Sequence, residues 1–115
     1  MVAEHPLANG ISVRAFRTGF LKLAILQLVG ARPMHGYAIM KEIERLTTSG
    51  WRPSPGSIYP TLQELVDSGL LSSRPEGRKQ VYEITPLGER VLADALEHTR
   101  RGIVSLQKLL DYRPE

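Results

Sequence analysis

Ser54-Pro55-Gly56-Ser57-Ile58-Tyr59-Pro60-Thr61-Leu62, followed by Gly69-Leu70-Leu71 and then by Gly77-Arg78-Lys79-Gln80-Val81-Tyr82-Glu83-Ile84-Thr85, is the stretch on which the fold turns. Ser54 stands where a helix cap is wanted. Pro55 after it has the φ angle of a first turn and lacks a donor that would be unpaired there anyway. Ile58, Leu62, Leu65 and Val66 recur at helical spacing and predict an inner face running to Ser68. Gly69 is the left-handed residue that stops the helix. Pro60 allows two readings: it falls in the first turn if regular bonding starts at Ser57, and it bends the helix if bonding starts at Ser54.

Outward from this segment, a helix precedes it and a hairpin follows. Leu70 to Ser73 and Gln80 to Thr85 read as short strands, with Arg74 to Lys79 as the turn. Upstream, Phe20, Leu21, Ala24, Ile25, Leu28 and Val29 recur at helical spacing, while Leu23 and Leu26 fill much of the remaining circumference. That helix should start near 14–18 and be buried on most sides. A second helix is expected over Gly36 to Leu46, with Tyr37, Ile39, Met40 and Ile43 as its inner face. Thr47 to Pro53 reads as a loop in which Trp51 has two readings, a core plug, the commoner use of an aromatic there, or a ligand contact. Residues 1–13 lack apolar periodicity and read as a flexible leader.

Thr85 followed by Pro86 is a second helix start of the same kind. Downstream, Leu92, Leu96, Thr99, Ile103, Leu106 and Leu110 alternate steps of four and three, which is a heptad seam. A helix of that length outruns the core of a domain this small, so its far half needs cover from another surface. The expected fold class is mainly α with a small β-hairpin: a winged helix-turn-helix over 14–85, then a long C-terminal dimerisation helix over 86–115.

Composition narrows the function. The 115 residues, 42% of them hydrophobic, suffice for one domain with an appended element. Net charge is only +3, so the placement of the basic residues matters more than their sum. The chain has no cysteine, which removes disulfides, thiolate metal sites and cysteine nucleophiles and suits a cytoplasmic protein. The apolar run Leu23 to Val29 is far short of the roughly 20 residues of a bilayer span. No secretory signal is visible in Met1 to Gly10.

Catalysis finds no constellation. His5, His35 and His98 fall on the leader, a loop and a helix, with no serine or carboxylate at triad-like spacing, and the glycines form no Rossmann or Walker motif. Glu97 and His98 are adjacent on a helix and face different directions, which argues against a shared metal. Neither a metal nor a cofactor is expected. What remains is an exposed helix start carrying Ser57, Tyr59 and Thr61 hydroxyls, and a turn carrying Arg78 and Lys79. Hydroxyls and capped helix ends suit phosphates and base edges, and basic residues supply salt-dependent affinity.

His35-Gly36-Tyr37, Trp51, Pro55 to Leu62, Gly69-Leu70-Leu71 and Tyr82-Glu83-Ile84-Thr85-Pro86-Leu87-Gly88 occur in one order that resembles the PadR-type winged-helix transcriptional regulators. The resemblance covers about Phe16 to the C-terminus and is to the compact branch of the family, which ends in a single helix. It implies a homodimeric repressor of a roughly palindromic double-stranded DNA operator, with the third helix in the major groove and the wing on the backbone or minor groove. The DNA-binding candidates are then His35, Tyr37, Ser54, Gly56, Ser57, Tyr59, Pro60, Thr61, Arg78 and Lys79. The dimer-interface candidates are Leu92, Leu96, Thr99, Ile103, Leu106 and Leu110. Some compact relatives hold flat drug-like molecules between aromatics at the dimer interface, so a small-molecule effector is expected; the last helix here offers only Tyr112 for that purpose. The alternative is a winged helix that makes protein contacts and binds no DNA.

Overall fold

Three helices supply the side chains that meet at the centre of the molecule. The computed structural model describes residues 15–47 and 51–115. Its elements are α1 (Ala15–Ala31), β1 (Met34–His35), α2 (Gly36–Leu46), α3 (Pro55–Asp67), β2 (Leu71–Glu76), β3 (Lys79–Ile84) and α4 (Pro86–Leu110). The leader expected over 1–13 lies outside the described residues. Ile25 and Val29 of α1, Ile39 and Ile43 of α2, and Ile58 and Leu62 of α3 are the largest fully buried side chains. Each contributes roughly 1.5–3 kcal/mol by leaving water.

The helix α1 is covered from several sides because α2, α3, β3 and α4 all pack on it. Only part of the inner face expected on α2 is buried: Ile39, Met40 and Ile43 face the core, but Tyr37 is 50% exposed. Positions 36, 39, 40 and 43 form one helical stripe, and Tyr37 stands off it. Gly36 occupies the stripe instead and is buried.

The end of α3 is closed by two bonds. Gly69 N–H donates to Val66 O and Leu70 N–H to Leu65 O, with Gly69 at φ +80°. This is the paired closure of a left-handed helix stop, and only glycine takes that φ without strain. The chain then turns directly into β2.

The wing is longer than its sequence suggests. Its strands run Leu71–Glu76 and Lys79–Ile84, so the turn narrows from the expected Arg74 to Lys79 down to Gly77 and Arg78. Pro75 interrupts the strand pattern in the sequence, yet β2 is an edge of the sheet order β1-β3-β2, where a missing donor costs little. Gly77, at φ +64°, fits the first position of a two-residue hairpin turn. At the far end the reading reverses: Leu70 and Thr85 lie outside the strands because both serve helix caps. The two-residue β1 adds an unexpected third strand, pairing Met34 with Tyr82 and His35 with Val81.

One residue joins the wing to the last helix. Thr85 Oγ1 accepts from Gly88 N–H at 3.0 Å and lies 2.6 Å from Gly69 O, to which it donates, while Thr85 N–H donates to Leu70 O. The closeness leaves no room at Gly88, where a Cβ would collide with the Leu70 carbonyl and with Ile84 Cγ1. From this joint α4 extends over 25 residues, about 37 Å. Its first half packs on α1 and its second half stands clear.

Gly88→Ala should therefore destabilise the fold by about 1–3 kcal/mol, the usual cost of overpacking against backbone that has no room to move. Thermal or urea unfolding measures it. The control, Gly102→Ala, meets nothing within 4 Å and should leave stability unchanged or raise it slightly.

Candidate nucleic-acid interface

Because Ile58, Leu62 and Leu65 must face the core, the first turns of α3 present Ser54, Gly56, Ser57, Tyr59 and Pro60 to solvent. Ser54 stands at the cap position, but its hydroxyl lies 3.2 Å from the Ser57 hydroxyl and makes no bond to a backbone N–H. The first amides instead use the Ser54 carbonyl, which accepts from Ser57 and Ile58. Regular helix begins at Pro55, which places Pro60 inside the helix rather than in its first turn. The carbonyl of Gly56 thereby loses its helical donor. Thr61, half-buried, turns its hydroxyl inward to the Ser57 carbonyl at 2.8 Å. A hypothetical Cβ on Gly56 meets only Ser54 Oγ, at 3.8 Å, so nothing within the chain requires glycine there.

The start of α2, the first turns of α3 and the wing converge on a cleft of about 270 Å³. His35, Tyr37, Tyr59, Arg78 and Lys79 all line it, so five of the candidates come together. Gly36 makes this possible. A Cβ there would stand 2.6 Å from Tyr59 Cε1, so the tyrosine ring lies flat where a side chain would otherwise be. Tyr59 is 44% exposed and keeps its outer edge wet. Tyr82 also lines the cleft, and burial first and its electrostatic coupling to the neighbouring Tyr59 phenol second push its own phenol above the usual tyrosine range. Tyr82 is thus an uncharged part of the cleft at neutral pH.

His35 is engaged by both strands of the wing. Its Nδ1 lies 3.2 Å from the Gln80 carbonyl and its Nε2 3.3 Å from Glu76 Oε1. Both ring nitrogens face acceptors, so a protonated imidazole donates to both and a neutral one to a single partner. Arg78 and Lys79, at the turn, are exposed. Tyr37 lies under two cations absent from the site read in the sequence: Lys41 Nζ is 5.7 Å and Arg52 Cζ 5.1 Å from its ring centroid. Their signal was positional, since Lys41 follows Tyr37 by one helical turn.

The heptad candidates of α4 divide at Thr99. Leu92, Leu96 and Thr99 are half-buried, and Leu92 packs on the protomer's own core beside Gly30. Thr99 returns its hydroxyl to the Ala95 carbonyl. Beyond it, Ile103, Leu106 and Leu110 are 60%, 55% and 69% exposed, joined by Val104, Leu109 and Tyr112. Together they leave a contiguous apolar stretch in water on the part of the C-terminal segment that stands clear of the domain.

Residues 25–94 match the transcriptional regulator PadR-like family, and the chain belongs to it. It is 36% identical to the transcriptional regulator YqjI of Escherichia coli over 112 residues, which are 96% of this chain and 52% of that protein. The chain thus spans about half the length of that curated relative. Among solved structures, a transcriptional regulator from Thermoplasma acidophilum, TA0346, is 30% identical at a TM-score of 0.72, with 87% of this chain and 99% of that one covered. Bacillus subtilis PadR, determined in complex with operator DNA, is 32% identical at a TM-score of 0.60 over 67% of this chain and 46% of its own.

Gly36→Ala should push the Tyr59 ring out of its seat. Because that ring is an exposed, movable side chain, the loss of stability should stay under about 1 kcal/mol. Thermal melting, together with NMR contacts between residue 36 and the Tyr59 ring, reads both effects.

Proposed function

We propose that the chain is a homodimeric DNA-binding transcriptional repressor whose two α3 helices read a roughly palindromic operator. The observation that carries this reading is the convergence of Tyr37, Tyr59, Arg78 and Lys79 on one cleft beside the outward face of α3. Hydroxyls and aromatic edges lie where bases would be read, and the wing's two cations lie where a phosphate backbone would pass. The operator-bound state of the similar Bacillus protein supports it. In this reading Ser54, Gly56, Ser57 and Pro60 form the close-approach edge of α3. His35 and Thr61, whose polar atoms have partners within the chain, shape the site rather than read it.

Dimerisation gives the free half of α4 its function. Ile103, Leu106 and Leu110 would pair with the same surface of a second copy, and a two-fold dimer matches a two-fold operator. Leu92 and Leu96 would anchor each helix to its own domain, with Thr99 at the boundary. A small-molecule effector that prefers one dimer geometry would change the spacing of the two α3 helices and release the operator. Selection of promoter fragments from the protein's own genome tests the reading as a whole. A winged helix used only for protein contacts would retain no duplex at physiological salt.

Arg78→Ala with Lys79→Ala should weaken specific and non-specific binding by similar factors, and the slope of log K against log salt should fall by roughly 0.9 per lost phosphate contact. Fluorescence anisotropy across a salt series measures it, with melting as the check that the exposed turn is structurally neutral. Separately, Leu106→Glu with Leu110→Glu should give monomers in analytical ultracentrifugation at micromolar concentration. A wild-type chain that sediments as a monomer there would overturn the dimer.

A further inference from the structure

We propose that Tyr37 is the centre of a second phosphate clamp, separate from the wing, in which its ring holds Lys41 and Arg52 ready for the backbone of bound DNA. The proposal rests on the DNA-binding reading above and adds to it two residues and a reason for Tyr37. The two cations come from different elements: Lys41 from α2, and Arg52 from the segment two residues before the α3 cap. Both converge on one exposed ring, at 5.7 Å and 5.1 Å from its centroid.

The arrangement leaves two exposed cations side by side with their donors unused among the described residues. Two like charges share one ring face or its two sides, and among the described residues neither forms an ion pair with a carboxylate. Lys22 and Arg101, by contrast, are held by Glu64 and Glu97. A cation on an aromatic face keeps its hydrogens available to an anion, because the ring uses its charge and not its donors. An anion of one or two phosphates would bridge the two cations. Arg52 offers a planar fork for two phosphate oxygens and Lys41 a point charge.

Location selects DNA as the source of that anion. Tyr37 lines the same cleft as Tyr59, Arg78 and Lys79, so the ring that carries the two cations borders the outward face of α3, with the wing's cations across the cleft. A duplex seated on α3 would then be gripped at the wing and at Tyr37. The ring also fixes two long side chains in advance, so less rotamer freedom is lost when the phosphate arrives.

Three variants test the clamp on one operator fragment and one unrelated duplex, by anisotropy over a salt series with melting as the folding control. Lys41→Ala with Arg52→Ala should lower the salt slope by about 1.8, two contacts at roughly 0.9 each, which is roughly 60-fold in affinity at 0.1 M salt if the lines meet at 1 M. The loss should be alike on both duplexes. Tyr37→Phe keeps the ring and should bind within about twofold of wild type, whereas Tyr37→Leu should bind severalfold more weakly. An unchanged slope in the charge variant, with wild type binding normally, overturns the clamp and leaves the DNA reading standing. Equal losses in the Phe and Leu variants assign the hydroxyl rather than the ring and overturn it too. Failure of wild type to bind either duplex removes the DNA reading and the clamp together.

Discussion

Burial of Ile58, Leu62 and Leu65 against Ile25, Ile39 and Ile43 is the constraint on which the rest of the molecule depends. It fixes the rotation of α3 about its own axis. A helix has a single inner stripe, so committing it to the core determines which residues are presented outward. Ser57, Tyr59 and Pro60 are exposed for this reason and not through any preference of their own. Loss of one of these core side chains would cost about 2–5 kcal/mol and would also loosen the angle at which the outward face is offered.

The second determinant is a set of small residues that admit close neighbours. Gly36 yields its volume to the Tyr59 ring, and Gly88 yields its volume to the Leu70 carbonyl. The first shapes the cleft and the second seats α4. Electrostatics adds little to the fold itself. The ion pairs Lys22–Glu64, Arg74–Glu83 and Arg101–Glu97 are exposed, and such pairs contribute on the order of 0–1 kcal/mol. Arg78 and Lys79 of the wing take no part in these pairs.

Much of this was legible in the residues. The helical spacing of Ile58, Leu62 and Leu65, the stop at Gly69 and the Thr85-Pro86 start are local signals, and local signals survive folding. The resemblance to PadR-type regulators on scattered motifs agrees with the family match over 25–94. What could not be read depends on neighbours distant in sequence. β1 is two residues long, too short for any period, and exists only because β3 lies beside it. Pro75 marks a strand end in the sequence but an edge strand in the sheet. Tyr37 is apolar by type, yet its place off the 36-39-40-43 stripe turns it outward. The heptad count alone could not show that Leu92 meets its own core while Leu106 meets nothing.

The Thr85 joint carries a consequence for how the molecule comes apart. Its hydroxyl and amide bind the carbonyls that follow α3, and its oxygen caps α4, so one residue ties the start of α4 to residues 69 and 70. The root of α4 therefore belongs to the same cooperative unit as α3 and the wing. Amide protons of Thr85 and Gly88 would exchange with solvent only through opening of the whole domain, while those beyond Thr99 would exchange by local fraying unless a partner covers them. One continuous helix thus has a root whose persistence is set by the folding of the domain and a far half that the domain does not hold.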